Sequence, residues 1–530
     1  MTEVSAAPFA TPALMSVSAA GSAGASTPTD PTSFTITQAD AALRAGEITA
    51  VEILQAFTDR IRRHDPVYNA FVLLNPRALH AARAADQRLA QGWRRGPLDG
   101  VPIVVKASID TAGLRTSAAW SGVWPEAGGV ELLPVRDAAI VRRLRDAGAV
   151  IVGKTNLPMF AGSGDNANDS VHGGTFNALD RRWAPGGSST GTATAVAAGF
   201  AVAGIGEETG GSIQNPAAAQ SLVAVKPTFG LVPNTGGVPQ AASTRDVLGP
   251  MTTTVEDAAL VLDVIAGCSP HDPTTRAVAG RVPPGGYTSR LSPVALRGTR
   301  LGLYGPGWRT DALTPETQRL YDAAIAAIAA QGSEVVPDPF AGSGFANLAM
   351  PVDGYDARGT EDHAYELDRY LRALGPYAAV HSLADLEAAT GVPLFGQGGP
   401  LNVYMHLPGL RASLRNPTRP PDLSAFARLR AEHLRIFEKV MTSHRLDALV
   451  FPQQYAPIGD LHGGAISATT VSEVNIAGLP AVVVPAGRYA SGRPFSLIFV
   501  GRPWSEVQLL AYAYAYSAAE PGRAVPRQLG

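Results

Sequence analysis

The sequence predicts an α/β fold, and two observations predict it. Stretches with an apolar stripe at helical spacing alternate with short runs of β-branched residues. The 530 residues, 45% of them hydrophobic, are also ample for a large buried core.

The elements follow in order. From about Ile36, "TQADAALRAGE" and then "TAVEILQAFTDRIRRHD" read as helices. Thr49 and Glu52 have capping-box spacing, and Val51, Ile53, Leu54, Phe57 and Ile61 supply an apolar stripe. After Gly100, "VPIVVKASID" reads as a buried strand that carries Lys106 into or near the interior. "DAAIVRRLRDAG" is a helix with Ile140, Leu144 and Ala147 on one face and Gly148 as its stop. The alternation continues through "VAVKPTFGLVP". Residues 310–445 are more helical and more charged, broken at "VPLFGQGGP", and read as an insertion or lid beside the main sheet. Strands return in "LDALVFP", "LPAVVVPAG" and "PFSLIFVG", before a closing helix "SEVQLLAYAYAYSAA". Residues 1–34, rich in Ala, Ser, Thr and Pro and without Lys or Arg, read as a disordered tail or a misassigned start. Residues 35–522 read as a single domain and 523–530 as a C-terminal tail.

Composition narrows the function. A net charge of -2 leaves no basic excess for nucleic acid or an anionic membrane, and no apolar run reaches the roughly 18 residues of a membrane span. The single cysteine, Cys268, excludes an intramolecular disulfide and a thiolate metal cluster, and reads as a small core residue. With no basic region before an apolar stretch near the N-terminus, the expected location is cytoplasmic. Of 43 basic residues only Lys106, Lys154, Lys226 and Lys439 are lysines. Lysine can become a neutral base and arginine cannot, so these positions attract attention.

Several motifs compete for the chemistry. "GAVIVGKT" at 148–155 matches a phosphate-binding loop, but that loop runs from strand to glycines to helix, and here Gly148 ends a helix and "AVIV" suits a strand. "GSSTG" at 187–191 fits a nucleophile elbow around Ser189, yet "RRWAPG" before it is a poor strand end, and His462 is only a loop candidate for a triad base. His363 beside Glu361 and Asp362 lacks a second histidine at ligand spacing and reads as a solvated, charged helix start, so no metal site is expected. Two serine-glycine clusters remain, "APGGSSTGTATAVAAG" at 184–199 and "GIGEETGGSIQNPAAAQ" at 204–220. Each sets a serine after paired glycines, which suits an oxyanion hole as well as a packing turn.

Together with Lys106 these clusters resemble the amidase signature family. The likeness extends through "EILQAFTDRI", "GAVIVGKTNLPMFA", "LVAVKPTFGLVP", "DVLGPM", "NIAGLPAVVVPAG" and "GRPWSEVQLL", from about residue 36 to about 517. The resemblance implies a large mixed sheet covered by helices on both faces, with a helical insertion. It implies a Ser–Ser–Lys triad in which Ser212 is the acyl-accepting nucleophile, Ser188 the bridging serine after a cis Gly187–Ser188 bond, and Lys106 the base. Amides of Thr209, Gly210, Gly211 and Ser212 would form the oxyanion hole. The chemistry agrees: a serine hydroxyl needs an adjacent base, and holding a lysine neutral near pH 7 takes a shift of roughly 3 units, about 4 kcal/mol, which burial in "VPIVVK" can supply.

Departures from the family pattern shape the substrate expectation. Ala107 stands where Asp is usual, Gln214 where Arg is usual, and Asn215 is uncharged. Glu207 and Glu208 replace a hydroxyl residue and Asp, with Glu208 expected to brace the loop. These imply a small neutral amide, cleaved to an acid plus ammonia or an amine without cofactor or metal. Gln214, Gly187 and Tyr355 would touch it, and Tyr365 and Phe395 are further candidates from the 310–445 region. The expected protein is a monomer or homodimer. The alternatives are a non-catalytic binding protein that keeps the fold and a glutamine-dependent amidotransferase-like subunit.

Overall fold

The computed structural model describes residues 30–348, 356–463 and 466–526. Over these residues eleven strands form one sheet. They are β1 (Phe71–Leu74), β2 (Pro102–Lys106), β3 (Val150–Thr155), β4 (Ala203–Glu208), β5 (Val223–Lys226), β6 (Val247–Thr252), β7 (Arg300–Leu303), β8 (Glu334–Val336), β9 (Ala448–Pro452), β10 (Ala481–Arg488) and β11 (Pro494–Val500). Their order across the sheet is β1-β3-β2-β4-β6-β5-β10-β11-β9-β7-β8. β2 runs parallel to β3 and β4, and β7 parallel to β8 and β9. The remaining neighbours are antiparallel, so the sheet is mixed.

Strands β2, β3, β9 and β11 are buried at every position, which is why they read as continuous apolar runs rather than alternating ones; β4 is buried throughout as well, although it ends on Glu207 and Glu208. The helix Ala50–Tyr68 begins with both halves of the capping box: Glu52 N donates to Thr49 Oγ1 at 3.1 Å, and Thr49 N to Glu52 Oε2 at 2.8 Å. Its stripe of Ile53, Leu54, Phe57 and Ile61 is buried. The "GAVIVGKT" segment runs from the helix Ala139–Asp146 through Gly148 into β3. Lys154 lies inside that strand, fully buried, and donates to the carbonyl of Ile109. That order leaves no glycine loop ahead of a helix to wrap a phosphate.

A second, smaller core stands beside the main one. Trp120 and Phe160 pack there with Leu367, Tyr370 and Leu371 of the helix His363–Ala373, Leu383 and Leu386 of the helix Leu383–Thr390, and Phe395, Tyr404 and Leu410. Only the middle of the 310–445 stretch therefore stands apart from the sheet. The helix Pro315–Ala330 leads into β8, which extends the sheet beside β7, and Ile436, Phe437, Val440 and Met441 of the helix Ser424–Ser443 join the main core.

Four sequence expectations need correction. Cys268 is exposed, because the helix Val255–Ile265 has already ended and the chain has left the core. His363 is fully buried between the rings of Phe395 and Tyr404 instead of solvated, and burial pushes its imidazole down to about 3, keeping it neutral. Of the expected N-terminal tail, residues 1–29 lie outside the described residues, but Pro31–Ser33 form a 3-10 turn and Phe34 is buried. At the other end Ala524 is buried and its amide donates to Ser221 Oγ at 2.7 Å, so the fold continues past 522.

Candidate active site

The site grows from the C-terminal ends of two parallel neighbours, β2 and β4. Ile103, Val104 and Val105 anchor β2 in the main core, so Lys106, the next residue along the strand, is carried in with no exposure. Its Nζ lies 2.7 Å from Ser188 Oγ and donates to the carbonyl of Glu207 at 3.2 Å. Burial pushes this ammonium down to about 8, against the opposing pull of the carboxyls of Glu207, Asp246 and Glu208. Ser188, itself fully buried, follows a cis Gly187–Ser188 bond in the turn ahead of the helix Thr190–Ala197.

Ser212 sits in the turn between β4 and the helix Gln214–Ala219. Gly211 there has φ +96°, and a Cβ would come within 2.7 Å of Val471 Cγ2, so the turn requires glycine. The turn is tied from several sides. Glu208 Oε2 accepts from the amides of Ile213 at 2.7 Å and Gln214 at 3.0 Å, and Oε1 accepts from Asn475 Nδ2 at 2.8 Å. Thr209 donates its hydroxyl to Asp246 at 2.6 Å, and Arg245 Nε donates to the Thr209 carbonyl at 3.0 Å. The carbonyls of Gly211 and Ser212 accept from Asn215 N and Ser189 N. Glu208 thus braces the loop, and the carbonyls of Thr209, Gly211 and Ser212 are fixed by partners within the fold.

Ser212 and Gly210 face a cavity of about 340 Å³ whose wall also includes Ala161–Asp165, Asn215, Gln240, Arg309, Asp311, Tyr404 and Tyr455. Of the substrate contacts expected from sequence, Gln214 lies behind this wall. It is fully buried, its amide nitrogen donates to Glu208, and its Oε1 accepts from Thr470 Oγ1 at 2.8 Å. Asn215, one residue on, takes the lining position. Gly187 packs against the carbonyl of Ser163, Tyr365 is half-buried away from the wall, and Phe395 belongs to the smaller core. Tyr355 lies outside the described residues.

Sequence reading missed the charged part of the wall. Arg309 and Asp311 come from the loop after β7, "GPGWRTD", which carries no motif; the available signal was its place at the end of a parallel strand. Arg309 is a closed group: its Nε and Nη2 donate to the two oxygens of buried Glu473 at 2.9 and 3.0 Å, and Nη1 donates to the Ala468 carbonyl at 3.2 Å. Asp311 keeps 42% of its side chain exposed. Asp165 accepts from the Ile466 amide at 2.5 Å.

A family model described as Amidase matches residues 52–510. The chain is 35% identical over 507 residues to a glutamyl-tRNA(Gln) amidotransferase subunit from Chloroflexus aurantiacus, covering 91% of this chain and 96% of that protein. Among solved structures, the native peptide amidase from Stenotrophomonas maltophilia is 33% identical, with a TM-score of 0.74 over 94% of this chain and 99% of that one. An amidase family protein from Bacillus anthracis is 26% identical, with a TM-score of 0.75 over 93% and 92%.

Proposed function

Since this chain belongs to the amidase signature family, we propose that it hydrolyses a small neutral carboxylic amide through an acyl-enzyme on Ser212. The observation that carries this reading is the buried contact of Lys106 Nζ with Ser188 Oγ at 2.7 Å beside a serine that faces the cavity. Neutral Lys106 takes the Ser188 proton while Ser188 takes that of Ser212. The Ser212 oxygen forms a bond to the carbonyl carbon, and the carbonyl electrons move onto oxygen, facing the amides of residues 209–212. Collapse of this intermediate breaks the C–N bond, and the same relay in reverse delivers the proton to the leaving amine. Water then enters by the same route and releases the acid. No step requires a cofactor, a metal or a second kind of polypeptide, and we assign the activity to the chain alone, as monomer or homodimer.

A second reading has support in the amidotransferase subunits among the relatives. Glutamine would bring an α-carboxylate and an α-ammonium into the cavity. Among the described lining residues Arg309 is the cation, and its charge is already shared: one edge of its fork pairs with Glu473, and Nη1 lies 3.7 Å from Asp311 Oδ2, while Asp165 is a further acidic group. This arrangement favours a substrate without a carboxylate.

The test is labelling of the purified chain with a fluorophosphonate, followed by peptide mapping and by ammonia release from a panel of neutral amides and glutamine. Covalent mass on Ser212, slowed by about 10²-fold or more in Lys106→Ala, and turnover of neutral amides by the chain alone are expected. Activity confined to glutamine, or appearing only with added partner subunits, would move the assignment to the second reading.

A further inference from the structure

Glu207 stands out because the relay described above has no use for a second carboxyl group at this place. It is 5% exposed, yet among the described residues one neutral donor holds its carboxyl: Ser108 Oγ donates to Oε2 at 2.6 Å. Oε2 lies 3.9 Å from Lys106 Nζ, and the main-chain carbonyl of the same residue accepts from that Nζ. The carboxyl also has a shaped seat, since a Cβ on Gly237 would come within 2.8 Å of Oε1. A buried carboxylate persists only when it is paired or hydrogen-bonded. Burial pushes the Glu207 carboxyl up to about 7, helped by the carboxyls of Asp246, from the loop before β6, and Asp110, from the loop after β2; Lys106, first, and the Ser108 hydrogen bond favour its ionised form.

We propose that Glu207 is a positioning residue for Lys106, its carboxylate serving as counter-ion to the ammonium that Lys106 becomes on receiving the Ser188 proton. This rests on the reading of Lys106 as the base. In the acylation step one proton passes from Ser212 to Ser188 and one from Ser188 to Lys106. Charge therefore appears on a fully buried nitrogen, 3.9 Å from Glu207 Oε2. The hydrogen bond from Ser108 keeps the carboxylate on the lysine's side, and the bond from Nζ to the Glu207 carbonyl keeps the amine directed toward Ser188. The other groups acting on Lys106 are Asp246 and Glu208. Both are already engaged, Asp246 with Thr209 and the amides of Gln240 and Ala241, and Glu208 with the Ser212 turn. The role of counter-ion falls to Glu207.

A counter-ion has a signature that a structural residue lacks. It raises the proton affinity of its partner, so removing it moves the acid limb of reactivity to lower pH while lowering the alkaline plateau. The experiment measures the second-order rate of Ser212 labelling by a fluorophosphonate against pH in wild type, Lys106→Ala, Glu207→Gln and Glu207→Thr. Glutamine preserves the shape and the Ser108 contact, and threonine restores the hydroxyl type usual at this place in the family, so a failure of one variant to fold leaves the other. The wild-type limb is expected near pH 8. In either folded Glu207 variant it moves down by about 1 unit or more, and the plateau falls by up to about tenfold. A limb that stays in place or moves up in a folded variant overturns the proposal while leaving the triad intact. Labelling of Lys106→Ala at the wild-type rate removes the triad reading itself, and the proposal with it.

Discussion

Asp311 sets much of the sign of the cavity's field. Its carboxylate is half open to solvent on the wall of the cavity that Ser212 faces and lies 3.7 Å from Arg309 Nη1, a guanidinium that also carries Glu473 on its other edge. Two carboxylates thus share one guanidinium, and an amide that carries its own carboxylate meets a net negative wall. Asp311→Asn is expected to improve kcat/KM for such an anionic amide by about fivefold, roughly 1 kcal/mol, with little change for a neutral amide of the same size. An unchanged ratio between the two substrates, at low and high salt alike, would mean that Asp311 does not face the bound substrate. At this scale the sequence was uneven. Glycine-rich turns and a lysine in an apolar strand drew attention to Lys106 and the two serine clusters, but the choice of Ser188 and Ser212 within them came from the family resemblance. Gln214 and Asn215 were not separable, because which of two adjacent residues in a short helix faces a cavity depends on what packs against the other face.

Elements were legible where local rules suffice. The helix Ala50–Tyr68 carries its own start signal, and both reciprocal hydrogen bonds of the capping box form. Thr49→Ala should cost about 1 kcal/mol of stability, read as a lower denaturant midpoint with activity intact; a midpoint equal to wild type would show that the helix start is held by tertiary contacts alone. β2 and β3 were equally readable, since strands buried on both faces leave continuous apolar runs, whereas β4, with Glu207 and Glu208 at its end, read only as part of a serine-glycine cluster. β8 was not. Its three residues are exposed or half-buried and follow a long amphipathic helix, so only pairing with β7 makes them part of the sheet. The same limit applies to His363, where a polar helix start is covered by rings more than 30 residues away in the chain.

On the scale of the whole molecule, the smaller core is joined to the main sheet by buried polar contacts as well as by packing. Tyr370 Oη donates to Asp110 Oδ1 at 2.8 Å, beside Thr116 Oγ1 at 2.6 Å, in the segment that follows Lys106. Burial pushes the phenol up, so it stays a neutral donor. Tyr370→Phe should lower stability by about 1–2 kcal/mol. Because Tyr404 of the same core lines the cavity, the variant should raise KM more than it lowers kcat; wild-type values for both would show that the two cores hold their positions without this contact. The sequence by itself determined the α/β class, the helix starts, the buried strands and the residue types able to perform amide chemistry, because hydrophobic period, capping and glycine-rich turns act over a few neighbouring residues. Tertiary structure alone decided that Glu207 lies 3.9 Å from Lys106, that Glu473 closes Arg309 and that Asn215 rather than Gln214 meets the cavity. Those are contacts between segments as much as 164 residues apart, and burial and electrostatics at such contacts depend on which surfaces the fold presses together.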